Sequence, residues 1–495
     1  MRKIFDKVSF RRPRMSAFDL SHEKKMSLNM GELVPVFWDE VLPSDQYSVN
    51  TEVLMRMSPM IAPIMHKVDV FVHYFFVPNR IIWSSWEDFI TGGKDGTSTP
   101  ALPTVRLKTG TGTKGGLADY FGVPVGDYLG NAKDINALPI RAYVEIYNEY
   151  YRDQNLTDPI DYEAANWNID DWDVVLKRCW EKDYFTSALP WTQRGGDVTV
   201  DIDASFTPQY KSQATTTAGD GSMNTNSGSI REDTNFMDII NLEDPQNVDD
   251  ATLDILELRR SARLQEFFEK AARAGSRYKE QLLAYFGINA QDQRLDRPEY
   301  LGGGKQPLVV SEVLNTSATA TEPQGNMAGH GITVGGKNTF KKTFKEHGYV
   351  IGIMSVLPRT NYQQGLHRFW TKDDRFDWYF PEFANLGEQA VYDAELYRDP
   401  TAPGTSDTDV FGYQQRYAEY KYRGGSVHGD FRDDLDFWHL GRIFSSQPSL
   451  NTSFVESDPT DRIFAVQTGE DTLYAYIHND VKARRPMPYF SDPRL

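Results

Sequence analysis

Polar and apolar residues alternate in DVTVDIDASF (residues 197–206), with Val198, Val200 and Ile202 on one face and Asp197, Thr199, Asp201 and Asp203 on the other. A period of two predicts a strand with one buried and one solvated face. Two other runs have no polar face. KVDVFVHYFFVP (67–78) and GYVIGIMSVLP (348–358) are apolar at nearly every position, and each stops at a proline. They predict strands covered on both sides. RIFAVQTGEDTLYAYIH (462–478) reads as a hairpin around Gly469, with strands near 462–467 and 473–478.

Helical periodicity is rarer. In LELRRSARLQEFFEKAARAG (256–275), Leu256, Leu264, Phe267, Phe268 and Ala271 recur at helical spacing, and Gly275 is placed to stop the helix. SRYKEQLLAYFG (276–287) predicts a shorter helix ending at Gly287. SSWEDFI (84–90) offers Ser84 or Ser85 as an N-cap and breaks at Gly92 and Gly93. Between these elements lie polar connections: residues 207–235, rich in Ser, Thr, Asn and Gly, and the loops TGGKDGTSTP (91–100) and TAPGTSDTDVFG (401–412). Many short strands, few helices and large loops favour a barrel or sandwich carrying insertions.

The 495 residues can bury a large core, and no apolar run is long enough to span a bilayer. The start, MRKIFDKVSFRRPRMS, is basic but has no apolar stretch of the secretory kind. Cys179 is the only cysteine, which excludes an intrachain disulfide and cysteine-rich metal sites and fits a reducing compartment. Lys plus Arg number 53 against 70 Asp plus Glu, a net charge of −17, unfavourable for a general nucleic-acid binder. Charge is unevenly distributed, however. Arg2, Lys3, Lys7, Arg11, Arg12 and Arg14 face Asp6 alone near the start, and Lys482, Arg484, Arg485 and Arg494 crowd the other end. These are either solvated tails or contacts to an anionic partner. Aromatic residues make up 13%, which suits a large core or extensive self-association.

Candidate chemistry is sparse. In DYFTSALPWTQRGG (183–196) the hydroxyls of Thr186 and Ser187 invite a nucleophile reading, but there is no G-x-S-x-G and no histidine within forty residues. Leu189-Pro190-Trp191 instead sets an extended backbone with a large apolar plate. YLGGGKQP (300–307) fails as a phosphate loop, since Glu299 and Gln306 stand where Gly and Ser or Thr are required, and a glycine turn between helix and strand is expected. The nine histidines form no H-x-H or H-E-x-x-H, so neither a local zinc motif nor a cofactor is expected. Trp83 and Trp86, at i, i+3 after Pro78, predict packing in the core or at an interface.

Several long stretches resemble one family. DYFTSALPWTQRGG is similar to a hallmark of the major capsid proteins of the Microviridae, in their gokushovirus-like branch. So are residues 30–93, GSRYKEQLLAYFGINAQDQRLDRPEYLGG (275–303), HGYVIGIMSVLPRTNYQQGLHRFW (347–370) and FGYQQRYAEYKYRGGSVHGDFR (411–432), together about half the chain. The resemblance implies a mainly β fold, a single eight-stranded viral jelly roll with large loop and helical insertions. It implies a basic arm over 1–30, a capsid domain over 31–495, a surface-protrusion insertion at 204–252 and a basic tail over 480–495. The implied protein is not an enzyme. It assembles through pentamers into a T=1 icosahedral shell around circular single-stranded DNA, in the host bacterial cytoplasm, and resides in the virion. Its implied partners are further copies of itself, the genome, a small basic internal DNA-binding protein, a DNA pilot protein and a host-cell receptor, with no membrane insertion. Arg2, Lys3, Arg11, Arg12, Arg14, Lys482, Arg484 and Arg485 then become candidate DNA contacts, and Trp83, Trp86, Pro190 and Trp191 candidate packing or interface residues. The alternative is a phage-encoded jelly-roll protein that binds or hydrolyses carbohydrate, with aromatics lining a sugar groove.

Overall fold

Strand alternation decides which side of each strand meets the core. The computed structural model describes residues 14–128, 130–164, 166–196, 198, 203–205, 249–252, 255–314, 327–399, 408–466 and 469–490. The chain divides into one unit of Met1–Thr192 with Ala272–Leu495 and another of Gln193–Ala271.

Among the described residues the first unit is built on a 9-stranded antiparallel sheet, against the eight strands expected, that curls into a jelly roll. Its strands are β1 (Ser16–Asp19), β2 (His22–Leu28), β3 (Val34–Val41), β4 (Gln46–Met57), β5 (Val68–Pro78), β6 (Glu299–Leu314), β7 (Met327–Thr343), β8 (Gly348–Pro358) and β9 (Leu473–Arg485). Their spatial order is β1-β9-β4-β7-β6-β5-β8-β3, and β2 pairs with β9 on the same edge as β1. The long strand β6 joins the two halves of the roll. Its first part, Glu299–Leu308, pairs with β5, and Val309–Leu314 pairs with β7.

In β4, Tyr47, Val49, Thr51, Val53, Met55 and Met57 are buried in strict alternation, and β9 buries Leu473, Ala475, Ile477, Asn479, Val481 and Ala483 the same way. β5 and β8 are buried on both faces, as their unbroken apolar runs predict. On the inner face Val70, Val72, Tyr74 and Phe76 join Val350, Met354 and Val356 in the core of the roll. On the outer face Phe75, Val77, Tyr349, Ile351 and Ile353 join a second core. That core is completed by helix α1 (Leu138–Ile146), Trp83, Trp172 and the hairpin Thr104–Leu107/Lys133–Asn136. Each such side chain contributes about 1.5–3 kcal/mol when fully buried.

Within the inner core the Tyr74 hydroxyl donates to Thr51 Oγ1, which donates to Asn479 Oδ1 at 2.6 Å. Asn479 Nδ2 donates to the Val36 carbonyl at 3.1 Å and Asn338 Nδ2 to the Thr51 carbonyl at 3.1 Å. Buried polar groups must be paired, so this network favours one register among β3, β4, β5, β7 and β9.

The two long connections, 79–298 and 359–472, hold almost everything outside the roll. A third apolar cluster joins them through Phe185, Tyr362, Val391, Leu396, Phe411 and Phe454. The helix Trp86–Thr91 follows Ser85 and ends at Gly92 in the left-handed region, and helix α3 (Tyr278–Phe286) ends likewise at Gly287.

The second unit contains the antiparallel pair Asp203–Ser205 and Asp249–Thr252 and most of helix α2 (Ile255–Ala274). Gly275 follows α2 with φ 103°, as expected of a helix stop. Of the strand predicted over 197–206, the structure describes Val198 and residues 203–205; the loop 207–235 and nearly all of 204–252 lie outside the described residues.

Two expectations are corrected. The stretch 462–467 does not pair with β9: among the described residues it is a turn in which Phe464 makes a single bridge to Met60. Ile463 and Phe464 are fully buried there, plugging the inner core, while β9 pairs with β4, β1 and β2. The glycines of YLGGGKQP are not a turn but part of β6, with a register shift between Tyr300 and Gly302. A Cβ at Gly303 would stand 2.2 Å from the Val72 carbonyl oxygen, so glycine there permits the close approach of β6 to β5.

Gly303→Ala is accordingly expected to destabilise the subunit by about 2 kcal/mol or more. Gly424→Ala, where a Cβ meets nothing within 4 Å, should be close to neutral. Thermal melting of the two variants against the parent checks this, and equal melting of all three would contradict the packing described.

Candidate functional site

The segment 183–191 is built around one carboxylate. Asp183 Oδ1 accepts from the backbone N–H groups of Phe185 (2.9 Å) and Thr186 (2.8 Å) and from Thr186 Oγ1 (3.0 Å). Its Oδ2 accepts from Thr360 Oγ1 at 2.6 Å and the Tyr362 hydroxyl at 2.8 Å, which belong to the other long connection. A carboxylate accepting local N–H groups is the usual way to fix a tight turn. Ser187 Oγ donates to the Asp183 carbonyl and accepts from Gln414 Nε2 at 2.7 Å. Leu189 exchanges two backbone bonds with Tyr413, at 2.9 and 2.8 Å. Phe185 packs on Tyr362 and Phe411, with ring centroids 4.9 and 6.2 Å away. Thr186 and Ser187 therefore hold the turn and tie the two connections together.

Beside this turn lies an open cleft of about 1390 Å³, whose walls include His73, Arg178, Cys179, Lys182, Arg277 and Tyr300. Its charges largely satisfy one another. Lys182 pairs with Asp153, Lys279 with Asp292 at 2.6 Å, and Arg277 with Glu149 and Glu280 at 3.8 and 3.7 Å. The Arg178 guanidinium lies 4.1 Å from the centroid of the Phe71 ring. Burial lowers the His73 pKa to about 4, and a ring nitrogen sits 2.9 Å from the Tyr151 hydroxyl. Burial also pushes the Cys179 thiol up to about 11, so it is not a thiolate at neutral pH. Walls of neutral imidazole, protonated thiol and mutually paired ions suit a rigid subunit better than nucleophilic chemistry.

The remaining candidates scatter. Arg2, Lys3, Arg11 and Arg12 lie outside the described residues; Arg14 and Arg484 are exposed. Lys482 pairs with Asp19 at 2.5 Å and Asp480 at 3.3 Å. Arg485 turns inward, 3.1 Å from Asp39 and 3.4 Å from the fully buried Asp45, and donates to the Tyr47 hydroxyl. Residues 480–485, assigned from the sequence to a tail, are the last part of β9, and residues 16–19 and 22–28 of the assigned arm are β1 and β2. Trp83 is buried in the outer core, whereas Trp86 is half-buried, 6.2 Å from Trp83 and 5.7 Å from His347 between ring centroids. Pro190 is exposed and Trp191 half-buried. Residues 371–380, TKDDRFDWYF, carry no role in the expectations drawn from the sequence, although their aromatic density was signal enough.

Among the described residues, a jelly roll whose two long connections are tied to each other around Asp183, beside a cleft of paired ions, suits a structural subunit. The chain belongs to the family described as capsid protein (F protein), whose sequence model matches residues 7–495. It is 36% identical to capsid protein VP1 of Chlamydia phage 1, across 100% of this chain and 98% of that protein. It is 37% identical to capsid protein VP1 of Bdellovibrio phage phiMH2K, across 91% and 90%, and 29% identical to that of Spiroplasma virus 4, across 97% and 95%. The Microviridae resemblance read from the sequence is borne out: this is a major capsid protein, a component of the virion, of a family that assembles into shells. Among the described residues no helix is long and apolar enough to cross a membrane.

Two outcomes follow. Trp83→Ala should cost about 3–5 kcal/mol of subunit stability and Trp86→Ala about 1–2 kcal/mol, a ranking that chemical denaturation can read. His73 binds its proton more weakly folded, near pH 4, than unfolded, near 6.5. The unfolded state therefore takes up more protons between those values, and stability falls as pH drops through that window. The parent should lose up to about 3 kcal/mol relative to His73→Gln between pH 7 and 4. A parent-to-variant gap that stays constant across the range would contradict the neutral imidazole.

Proposed function

We propose that this capsid protein assembles through pentamers into a T=1 icosahedral shell around a circular single-stranded DNA genome. The observation that carries this reading is the likeness to VP1 capsid proteins over the whole chain, roll and both long connections alike. A shell protein of net charge −17 repels DNA unless basic groups face inward. Lys482 and Arg485 are engaged with carboxylates, so that role falls first to Arg2, Lys3, Arg11, Arg12, Arg14 and Arg484. So modest a cationic set fits a shell that also needs a small basic internal DNA-binding protein. A DNA pilot protein and assembly in the bacterial cytoplasm complete the reading. The insertion 204–252, polar and poor in apolar period, is placed here as the protrusion that meets the host receptor. The protein is read as a non-enzyme, since the hydroxyls of Thr186 and Ser187 are taken up in the turn that holds them. The carbohydrate-binding or hydrolytic alternative finds no specific support in the cleft.

Electron microscopy of particles from the expressed chain should show uniform small shells, and soluble monomers alone would refute the reading. Shells of the triple variant Arg11→Ala, Arg12→Ala, Arg14→Ala should retain less DNA than parental shells, and raising salt should reproduce the loss in the parent. Equal DNA content across the salt series would remove the arm from the account.

A further inference from the structure

Residues 367–386, with Tyr420, form an aromatic ridge that this chain alone leaves in solvent, seated on the buried Tyr417. The backbone here is three short turns, Arg368–Trp370, Arg375–Asp377 and Pro381–Phe383, so sheet pairing does not hold the rings. They hold one another. Lys372 Nζ sits 5.0, 5.6 and 4.3 Å from the ring centroids of Phe369, Trp378 and Tyr420, and donates to the Tyr420 hydroxyl at 2.6 Å. The Tyr417 hydroxyl donates to the Trp378 carbonyl at 3.2 Å and accepts from the Phe380 N–H at 3.3 Å. Arg416 donates to the Phe376 carbonyl at 3.1 Å, and Phe376 packs on Phe383 with centroids 5.4 Å apart. The ridge is thus prearranged, which lowers the ordering cost of any contact it makes.

Its exposure is large: Trp370 is 80% and Trp378 51% accessible, and Phe369, Tyr379, Phe380 and Leu386 are exposed as well. With Phe376 and Tyr420 these side chains present on the order of 800 Å², about what each partner gives to a stable interface and more than the patches monomers usually tolerate. The cleft beside Ser187 and the recess beside Trp86 take none of residues 367–386, so the ridge suits a broad protein face rather than a small ligand.

Resting on the capsid reading, we propose that this ridge is a contact between subunits of the shell, its occupant a second copy of this chain. The composition fits: tryptophan, tyrosine, phenylalanine and arginine dominate the centres of protein interfaces. Asp373, Asp374, Asp377 and Glu382 outnumber Arg368, Lys372 and Arg375 along 367–386, so this stretch offers no net positive charge to an anionic lipid surface or a DNA strand.

The test uses the full chain under conditions where the parent forms shells. The double variant Trp370→Ser, Trp378→Ser should be soluble, melt as the unassembled parent does, and lower shell yield by about tenfold or more. Parental yield would overturn the ridge while leaving the capsid reading intact, and failure of the parent itself to form shells would overturn both. Should the double variant fold poorly, a photocrosslinking benzoylphenylalanine at position 370 decides. In intact particles it should join subunit to subunit, and crosslinks to DNA, to another protein or to nothing would overturn the proposal.

Discussion

Everything else in this subunit depends on two neighbouring strands that have no polar face. β5 and β8 bury both sides, so the sheet they centre cannot leave its outer surface to water. Exposing Phe75, Val77, Tyr349, Ile351 and Ile353 would forfeit about 1.5–3 kcal/mol for each. A cover is obligatory, and only the long connections are available to supply it. The first lays α1, Trp83 and Trp172 over that surface, making a second core as closed as the one inside the roll.

Once the connections are pinned there, their outer parts become rigid platforms. The Asp183 carboxylate fastens one connection to Thr360 and Tyr362 of the other, and the cluster around Phe185 closes the seam. Arg485 does the same service at the end of β9, where its cation meets Asp39 and the buried Asp45. Burial raises the pKa of Asp45, and Arg485 opposes that shift, so each group makes the other's burial tolerable. A shell subunit has to present the same contacts in every copy, and these fastenings give the surface loops that constancy. The aromatic ridge grows from such a platform, which is why rings without strand support can keep one arrangement.

The layered architecture was legible in the sequence because burial writes itself into periodicity. Continuous apolarity in β5 and β8 announced two-sided strands, 473–478 was legible as a strand though not its partner, and Gly275 and Gly287 marked helix ends. Legibility failed where long-range packing outranked local pattern. Ile463 and Phe464 look like strand residues but plug the core from a turn, and the glycines of β6 look like a turn but admit a neighbouring strand. Arg485 looked like a free cation because Asp39 and Asp45 stand far away in the chain. The ridge was overlooked for a different reason. Aromatic density alone does not say whether rings face inward, and only the fold shows that Trp370 and Trp378 do not.

The claim that the outer core and the sheet form one cooperative structure can be measured by hydrogen exchange on unassembled subunits. Amides of α1 should exchange as slowly as those of β5 and β8 and open together with them under mild denaturant, since none of these elements is stable with its apolar face in water. Fast exchange across Leu138–Ile146 while Gly348–Pro358 stays protected would contradict the account, because β8 would then be holding its place without its cover.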